Sequence, residues 1–308
     1  MDALSDILRA IRLRSSVYFK KAFFAPWGMD MPDGPFAQFH LVVRGNCLVG
    51  TPEFVEPLAL CSGDVIVFPH GQRHWIADSS KSRRLPGTEI LDEHLRGETP
   101  SVAKGKRTTL ICGHFEFANK FDHPFLSSLP NLIHISDDER RTFTWLETAT
   151  TLMMQEADLD APGADVVVNR LAEVLFIQLL RAYFLQAGHS LGFCAALQDG
   201  LISHALKLLH SEPEDDWSLE RIANKIGMSR SAFAARFKDL VGMTPMSYLA
   251  NWRMCQAREL LTNQQLTLAE VAERVGYLSV SAFSHAFKRK FNENPGEMKR
   301  RVSLSGEN

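Results

Sequence analysis

The sequence predicts an α+β chain in two parts: a strand-rich barrel followed by helices, then an all-helical C-terminal third. Three observations predict it. A helical hairpin pattern occurs twice, Leu219 to Lys238 and again Leu268 to Lys288, with matched residues 49 apart before a shared glycine and 50 apart after it (Ala223/Ala272, Gly227/Gly276, then Phe233/Phe283, Phe237/Phe287). From Val17 to about Phe117 the apolar residues come in short runs punctuated by Gly and Pro, the pattern of strands in a sandwich or barrel. Between these regions, from residue 137, helical periodicity returns. A length of 308 residues accommodates two domains, and 45% apolar with 23% charged residues is an ordinary globular composition.

In chain order, residues 1–16 read as a short helix carrying Leu4, Ile7, Leu8 and Ile11 on one face. Strands follow at Phe39-His40-Leu41-Val42-Val43, Cys47-Leu48-Val49, Val65-Ile66-Val67-Phe68 and Thr109-Leu110-Ile111-Cys112. Residues 78–107 are polar, basic and Gly/Pro-bearing, and read as a long mobile loop. His123 to Asn131 is a loop to which only a structural role is assigned. Residues 137–158 and 165–187 read as two helices broken at Asp160-Ala161-Pro162-Gly163. The second is apolar over a wide arc, so it is covered on more than one side, either between barrel and partner helix or in a homodimer interface. Gly188 to Asp199 reads as the interdomain linker.

Each repeated hairpin has physical punctuation. Leu219, Ile222, Ala223 and Ile226 follow the i, i+3, i+4, i+7 spacing of one helix face, and Leu268, Val271, Ala272 and Val275 repeat it. Gly227 and Gly276 stand where the chain turns left-handed, and Ser229 and Ser279 where the next helix needs a cap. Phe233/Phe237 and Phe283/Phe287 form a buried stripe, which leaves a basic outer face. Pro245 starts a bridging helix that runs to about residue 262, roughly 25 Å long. One hairpin of this kind is as readily a plain α-hairpin with a solvated face. Two aligned copies on one bridge argue for a pair of reading heads set for successive major grooves.

At these residues a resemblance becomes specific. Residues 199–302 resemble the DNA-binding domain of AraC/XylS-type transcription regulators, with helix-turn-helix units at 217–240 and 266–290. The second unit, Val271 to Lys288, carries the family's Val-Ala-x-x-Val-Gly-Tyr-x-Ser-x-Ser-x-Phe-x-x-x-Phe-Lys pattern. Where the family usually closes with Gly-x-x-Pro, this chain has Asn292-Glu293-Asn294-Pro295, Asn being an acceptable left-handed residue. Upstream, Gly63 to His74 matches the second cupin signature, Gly-x5-Pro-x-Gly-x-x-His. The first signature is incomplete: Gln38-Phe39-His40 with Gly45 lacks one histidine and the glutamate. Residues 1–136 therefore resemble the cupin sensor domain of such regulators, and 137–190 a helical dimerisation and linker segment.

The resemblance implies which residues touch DNA. In the first unit these are Arg230, Ser231, Ala235 and Arg236, with Arg230 the best candidate for guanine and Arg236 equally a solvated or a phosphate-facing residue. In the second they are Ser279, Ser281 and His285, with Lys288 and Arg289 as phosphate anchors. His285 stands where the family often has arginine, which implies a different base preference. Charge distribution agrees: residues 199–308 hold 15 basic against 13 acidic residues, the remainder 19 against 23, within a net charge of −2. In the barrel, His40 and His74 are the candidate ligand-binding residues. They would hold zinc or another divalent metal if Cys47, Cys61 or His114 completed a tetrahedral site; the alternative is a pair hydrogen-bonded inside the barrel or touching a ligand.

The expected molecule is a cytoplasmic, dimeric transcription regulator, an activator by analogy. It binds double-stranded DNA, answers a small-molecule effector, and has RNA polymerase as a further implied partner. No nucleophile elbow, zinc-protease, P-loop or dinucleotide motif occurs, so no enzyme is expected. The competing reading is a metal-dependent cupin enzyme fused to a DNA-binding module. No run of eighteen apolar residues and no signal-peptide pattern is present, and the five cysteines (47, 61, 112, 194, 255) form no close-spaced pair, which fits reduced thiols.

Overall fold

The computed structural model describes residues 3–11, 13–96, 105–117, 123–157, 159, 161–186, 192–263 and 266–305. In chain order they form α1 (Ala3–Ile11), β1 (Leu13–Phe24), β2 (Gly28–Met31), β3 (Ala37–Arg44), β4 (Asn46–Gly50), β5 (Leu58–Cys61), β6 (Val65–Phe68), β7 (His74–Ala77), β8 (Leu85–Pro86), α2 (Gly87–Leu95), β9 (Arg107–Phe117), α3 (Pro124–Ser127), β10 (Ile133–Ile135), α4 (Asp137–Thr142), α5 (Thr144–Glu156), α6 (Ala164–Gln186), α7 (Phe193–Gln198), α8 (Gly200–Ser211), α9 (Leu219–Lys225), α10 (Arg230–Val241), α11 (Pro245–Asn263), α12 (Leu268–Arg274), α13 (Val280–Phe291) and α14 (Pro295–Ser305). Two units result. One holds the ten strands with α2, α4, α5 and α6; the other holds α1, α3 and everything from α7 onward.

The strand unit is two five-stranded sheets, in the orders β1-β9-β3-β6-β10 and β5-β4-β7-β2-β8. Period-2 alternation sends Val42, Ile66, Phe68, Leu110 and Cys112 of the first sheet into one core with Met29, Cys47, Val49 and Ile76 of the second. Val65, Val67, Phe39 and Phe115 point the other way and are also buried. α6 covers that face, with Phe176 at 4.5 Å from Phe115. This accounts for the wide apolar arc of α6. Its outer side still exposes Val167 and Val174, two turns apart. Asn169 of α6 also satisfies a β-bulge: where β1 slips register between Val17 and Phe19, the freed Val17 N–H donates to Asn169 Oδ1 at 2.7 Å.

The cupin-like motif folds as its residues require. Gly63 (φ 96°) and Gly71 (φ 67°) turn the chain on either side of β6, and His74 opens β7. Asp64 ties the corner, accepting from the N–H groups of Cys61 and Asp137 and from His134. Burial alone would raise its carboxyl; these hydrogen bonds outweigh burial and hold it below the usual range. The expected loop at 78–107 is instead partly ordered structure. Leu85–Pro86 pairs with β2, and Gly87–Leu95 is a helix whose Ile90 joins the core. Pro86 precedes the first turn, so what read as loop punctuation is the start of a helix. Residues 97–104 lie outside the described residues.

In the helical unit, the chain is not divided at contiguous boundaries such as 136 and 190. α1 buries Ile7 and Ile11 and packs with α8 and α11. Residues 123–128 place His123 and Phe125 against Phe193 of α7. The second half of the expected linker is α7, whose Phe193, Cys194 and Ala196 are buried. An apolar Phe-Cys-Ala-Ala-Leu run is a core helix, not a spacer.

Candidate nucleic-acid interface

The two hairpins, α9–α10 and α12–α13, are built with the same local chemistry. Gly227 and Gly276 adopt φ of 72° and 73°. The following N–H reaches back over the turn in both, Met228 to the Ala223 carbonyl at 2.9 Å and Tyr277 to Ala272 at 2.8 Å. Ser229 then accepts from the Ala232 N–H, and Ser279 from the Ala282 N–H, capping α10 and α13. Phe233, Phe237, Phe283 and Phe287 are fully buried, which fixes the rotation of each helix. Both helices end left-handed, at Gly242 (φ 82°) and Asn292 (φ 55°), so Asn292 does take the glycine's place.

That rotation decides what faces solvent. Arg230, Ser231, Ala235 and Arg236 are exposed on α10; Ser281, His285, Lys288 and Arg289 are exposed on α13. Ser279 is exposed too, with its hydroxyl oxygen engaged as the cap. Arg236 is held elsewhere: its guanidinium donates to the Asp199 carboxylate, which also caps α8 through the Leu201 and Ile202 N–H groups. Burial opposes ionisation of Asp199, but hydrogen bonds from Ile202 and Arg236 hold its carboxyl low. Arg236 is therefore the candidate with least freedom to reach DNA.

Of the C-terminal basic cluster, Lys299 donates to the Leu266 carbonyl and Arg301 to Glu293, while Lys288, Arg289 and Arg300 are exposed. A residue missed by sequence reasoning is Lys238, exposed on α10 at the position 50 before Lys288. The repeat offset was the signal that would have found it. The bridge between the hairpins, α11, starts at Pro245 and runs 19 residues. Its Arg253 donates to the carbonyls of Pro213 and Asp215 beside the second turn.

In the strand unit His40 and His74 do meet. Both are buried, with Nε2 to Nε2 at 2.8 Å, and His40 Nδ1 lies 2.9 Å from Cys112 Sγ. The protons follow from the acceptors. His74 Nδ1–H donates to the Gln72 carbonyl at 2.9 Å, leaving its Nε2 to accept from His40 Nε2–H. His40 Nδ1 then accepts from the Cys112 thiol. Every member is neutral: burial, then His74, pushes the His40 imidazolium far down; burial pushes His74 down to about 4; burial, then Cys47, raises the Cys112 thiol.

His40 and His74 are paired with each other and with neighbouring protein groups. Each ring nitrogen already has a partner, and among the described residues no three His, Cys, Asp or Glu side chains converge to hold a metal. The expected completing ligands are otherwise disposed. His114 pairs with Glu116 at 2.9 Å, Cys61 is exposed, and the Cys47 thiol is pushed up to about 12 by burial, then by Asp64.

Residues 2–185 match the cupin family model and residues 222–301 a helix-turn-helix domain model. The chain is similar to the HTH-type transcriptional regulator AlkR of Acinetobacter baylyi, 30% identical over 300 residues, 96% of this chain and 98% of that one. It is 28% identical to a Streptomyces lividans protein described as an AraC-like transcription regulator, covering 99% and 100% of the two. To the RCS-specific HTH-type transcriptional activator RclR of Escherichia coli it is 24% identical over 98% of both chains.

Proposed function

Because the chain belongs to the AraC-type family of helix-turn-helix transcription regulators with an N-terminal cupin domain, we propose that α10 and α13 read DNA and that the cupin domain controls them in response to an effector. The observation that carries the DNA reading is the identical turn, cap and buried Phe pair in both hairpins, which present Arg230, Ser231 and Ala235 in one and Ser281, His285, Lys288 and Arg289 in the other. Small side chains at Ser231 and Ala235 admit close approach to the groove floor and supply few hydrogen-bonding groups. Arg230 is thus the base-reading group of the first unit. Lys288, Arg289, Lys238 and Arg300 bind phosphates. Arg236 orders the start of α8 through Asp199, and any phosphate contact it makes competes with that ion pair.

A homodimer along α6 is part of the same proposal. Val167 and Val174 are exposed there on one face, with Arg170 between them and Arg181 two turns beyond Val174. Two subunits carrying four heads multiply affinity by effective concentration, which gives an effector something large to act on without touching a base. Activation through RNA polymerase and a cytoplasmic location belong to the same proposal; one relative is named an activator. Among the described residues no helix is long and apolar enough to cross a membrane. The test is selection of bound duplexes from a random pool by the purified full-length protein. The expected result is a bipartite site, its blocks about one helical turn apart, in repeated or inverted copies. Enrichment of single short blocks only would refute two-headed reading.

A further inference from the structure

A second polar feature of the strand unit lies apart from the His40–His74 pair. A cavity of about 360 Å³ opens beside the end of β1, walled by Phe23, Trp27, Leu85 and Ile90, with Lys21 and Arg83 among its lining residues. That volume lies at the small end of the roughly 300–1,000 Å³ range of small-molecule sites. Trp27 is 93% buried (7% exposed), yet its indole N–H has no acceptor. Buried tryptophans normally find a partner for this group; this nitrogen is closed to water, so an acceptor in the cavity reaches it only when the neighbouring side chains shift.

The donor is also held ready. Asp78 clamps the Trp27 backbone, its carboxylate taking the Trp27 N–H at 2.7 Å and its own N–H reaching the Trp27 carbonyl at 3.2 Å. The indole ring stacks on Phe23 with centroids 4.6 Å apart. Of the lining residues only Lys21, Glu93 and Arg83 are charged. Lys21 sits 3.4 Å from Glu93, while Arg83 is exposed and leaves the lining one positive charge in excess. Flat aromatic walls, one buried N–H donor and surplus positive charge together define what would fit.

We propose that this cavity binds a small planar apolar acid, its body against Phe23 and Trp27 and its carboxylate on the Trp27 N–H and the cationic side. Its use as an effector rests on the sensory reading given above; the binding itself does not. The probe is 2-naphthoate, titrated calorimetrically into the full-length protein beside 2-naphthalenemethanol and 2-naphthylmethylammonium. The expected result is one saturable site per chain that prefers the acid to both analogues. Trp27→Phe, which keeps an aromatic ring of smaller size and removes the donor, weakens it roughly tenfold, and Arg83→Gln about fivefold. Leu85→Trp, which enlarges a wall residue, abolishes it. Cooperative melting of each variant confirms its fold, and if Leu85→Trp fails to fold the two others carry the test. No saturable binding by the wild type, equal binding of the ammonium analogue, or an unchanged affinity in Trp27→Phe overturns the site. Duplex affinity is measured separately with and without 2-naphthoate. Binding that leaves it unchanged keeps the site and removes only its sensory use.

Discussion

His285 and Lys288 sit one turn apart on α13, both exposed, and the proposed interface gives them different tasks. An imidazole facing base edges discriminates; an ammonium at the last turn of the helix neutralises phosphate whatever the sequence. His285→Ala is therefore expected to cost about 1–3 kcal/mol on the cognate duplex and relax preference at one or two base pairs. Lys288→Ala is expected to weaken cognate and scrambled duplexes alike and to lower the salt slope by about one. Fluorescence anisotropy across a salt series separates the two, and equal losses on both duplexes in both variants would reject the assignment. At this scale the sequence was legible wherever the cause is local. The caps Ser229 and Ser279 and the left-handed Gly227, Gly276 and Asn292 depend on neighbours within four residues. The partner of Arg236 lies 37 residues away and that of His40 lies 34 away, and no local pattern announces either.

The paired hairpins offer a controlled comparison between elements. Gly227 and Gly276 share one conformation, but a Cβ on Gly227 would meet nothing within 4 Å, whereas one on Gly276 would lie 2.7 Å from the Arg253 guanidinium and from the Glu214 carbonyl. Gly227→Ala is expected to cost only the left-handed penalty, about 1–2 kcal/mol. Gly276→Ala should cost clearly more, because Arg253 must leave the Pro213 and Asp215 carbonyls or the turn must open. Urea unfolding of the two variants checks this, and equal losses would mean that Arg253 yields freely. Repetition in the sequence displayed the shared hairpin and concealed this asymmetry, which belongs to α11 and not to either copy. Elements with mixed signals misled in the opposite direction. α2 begins at Pro86-Gly87, read as loop, and α7 contains Phe193, read as linker, because propensity does not report that Ile90 and Phe193 have cores to enter.

At the scale of the whole molecule, each unit buries a pair of neutral histidines. In the helical unit His123 Nδ1 accepts from the Phe125 N–H, so its Nε2–H donates to Tyr248 Oη at 3.0 Å, and the Tyr248 hydroxyl donates to His210 Nε2 at 2.7 Å. This chain of bonds joins residues 123–128 and α8 to α11, which no reading of contiguous domains predicts, since the strand unit separates those segments along the sequence. Burial pushes both His123 and His210 down to about 3, as it pushes His74 to about 4 and His40 in the same direction. The unfolded chain protonates such groups near pH 6.5 and the folded chain does not. Stability is then complete above pH 6.5 and falls as pH drops toward the folded values, by up to about 1.4 kcal/mol per pH unit for each histidine. Because each unit owns two of the four, both unfolding transitions are expected to move to lower urea between pH 7 and pH 5. His123→Gln, whose amide can replace one hydrogen bond and cannot titrate in this range, should flatten only the helical transition. Transitions that stay fixed from pH 7 to 5 would mean that the histidines are protonated in the folded protein, and the tautomer chain through Tyr248 would have to be abandoned.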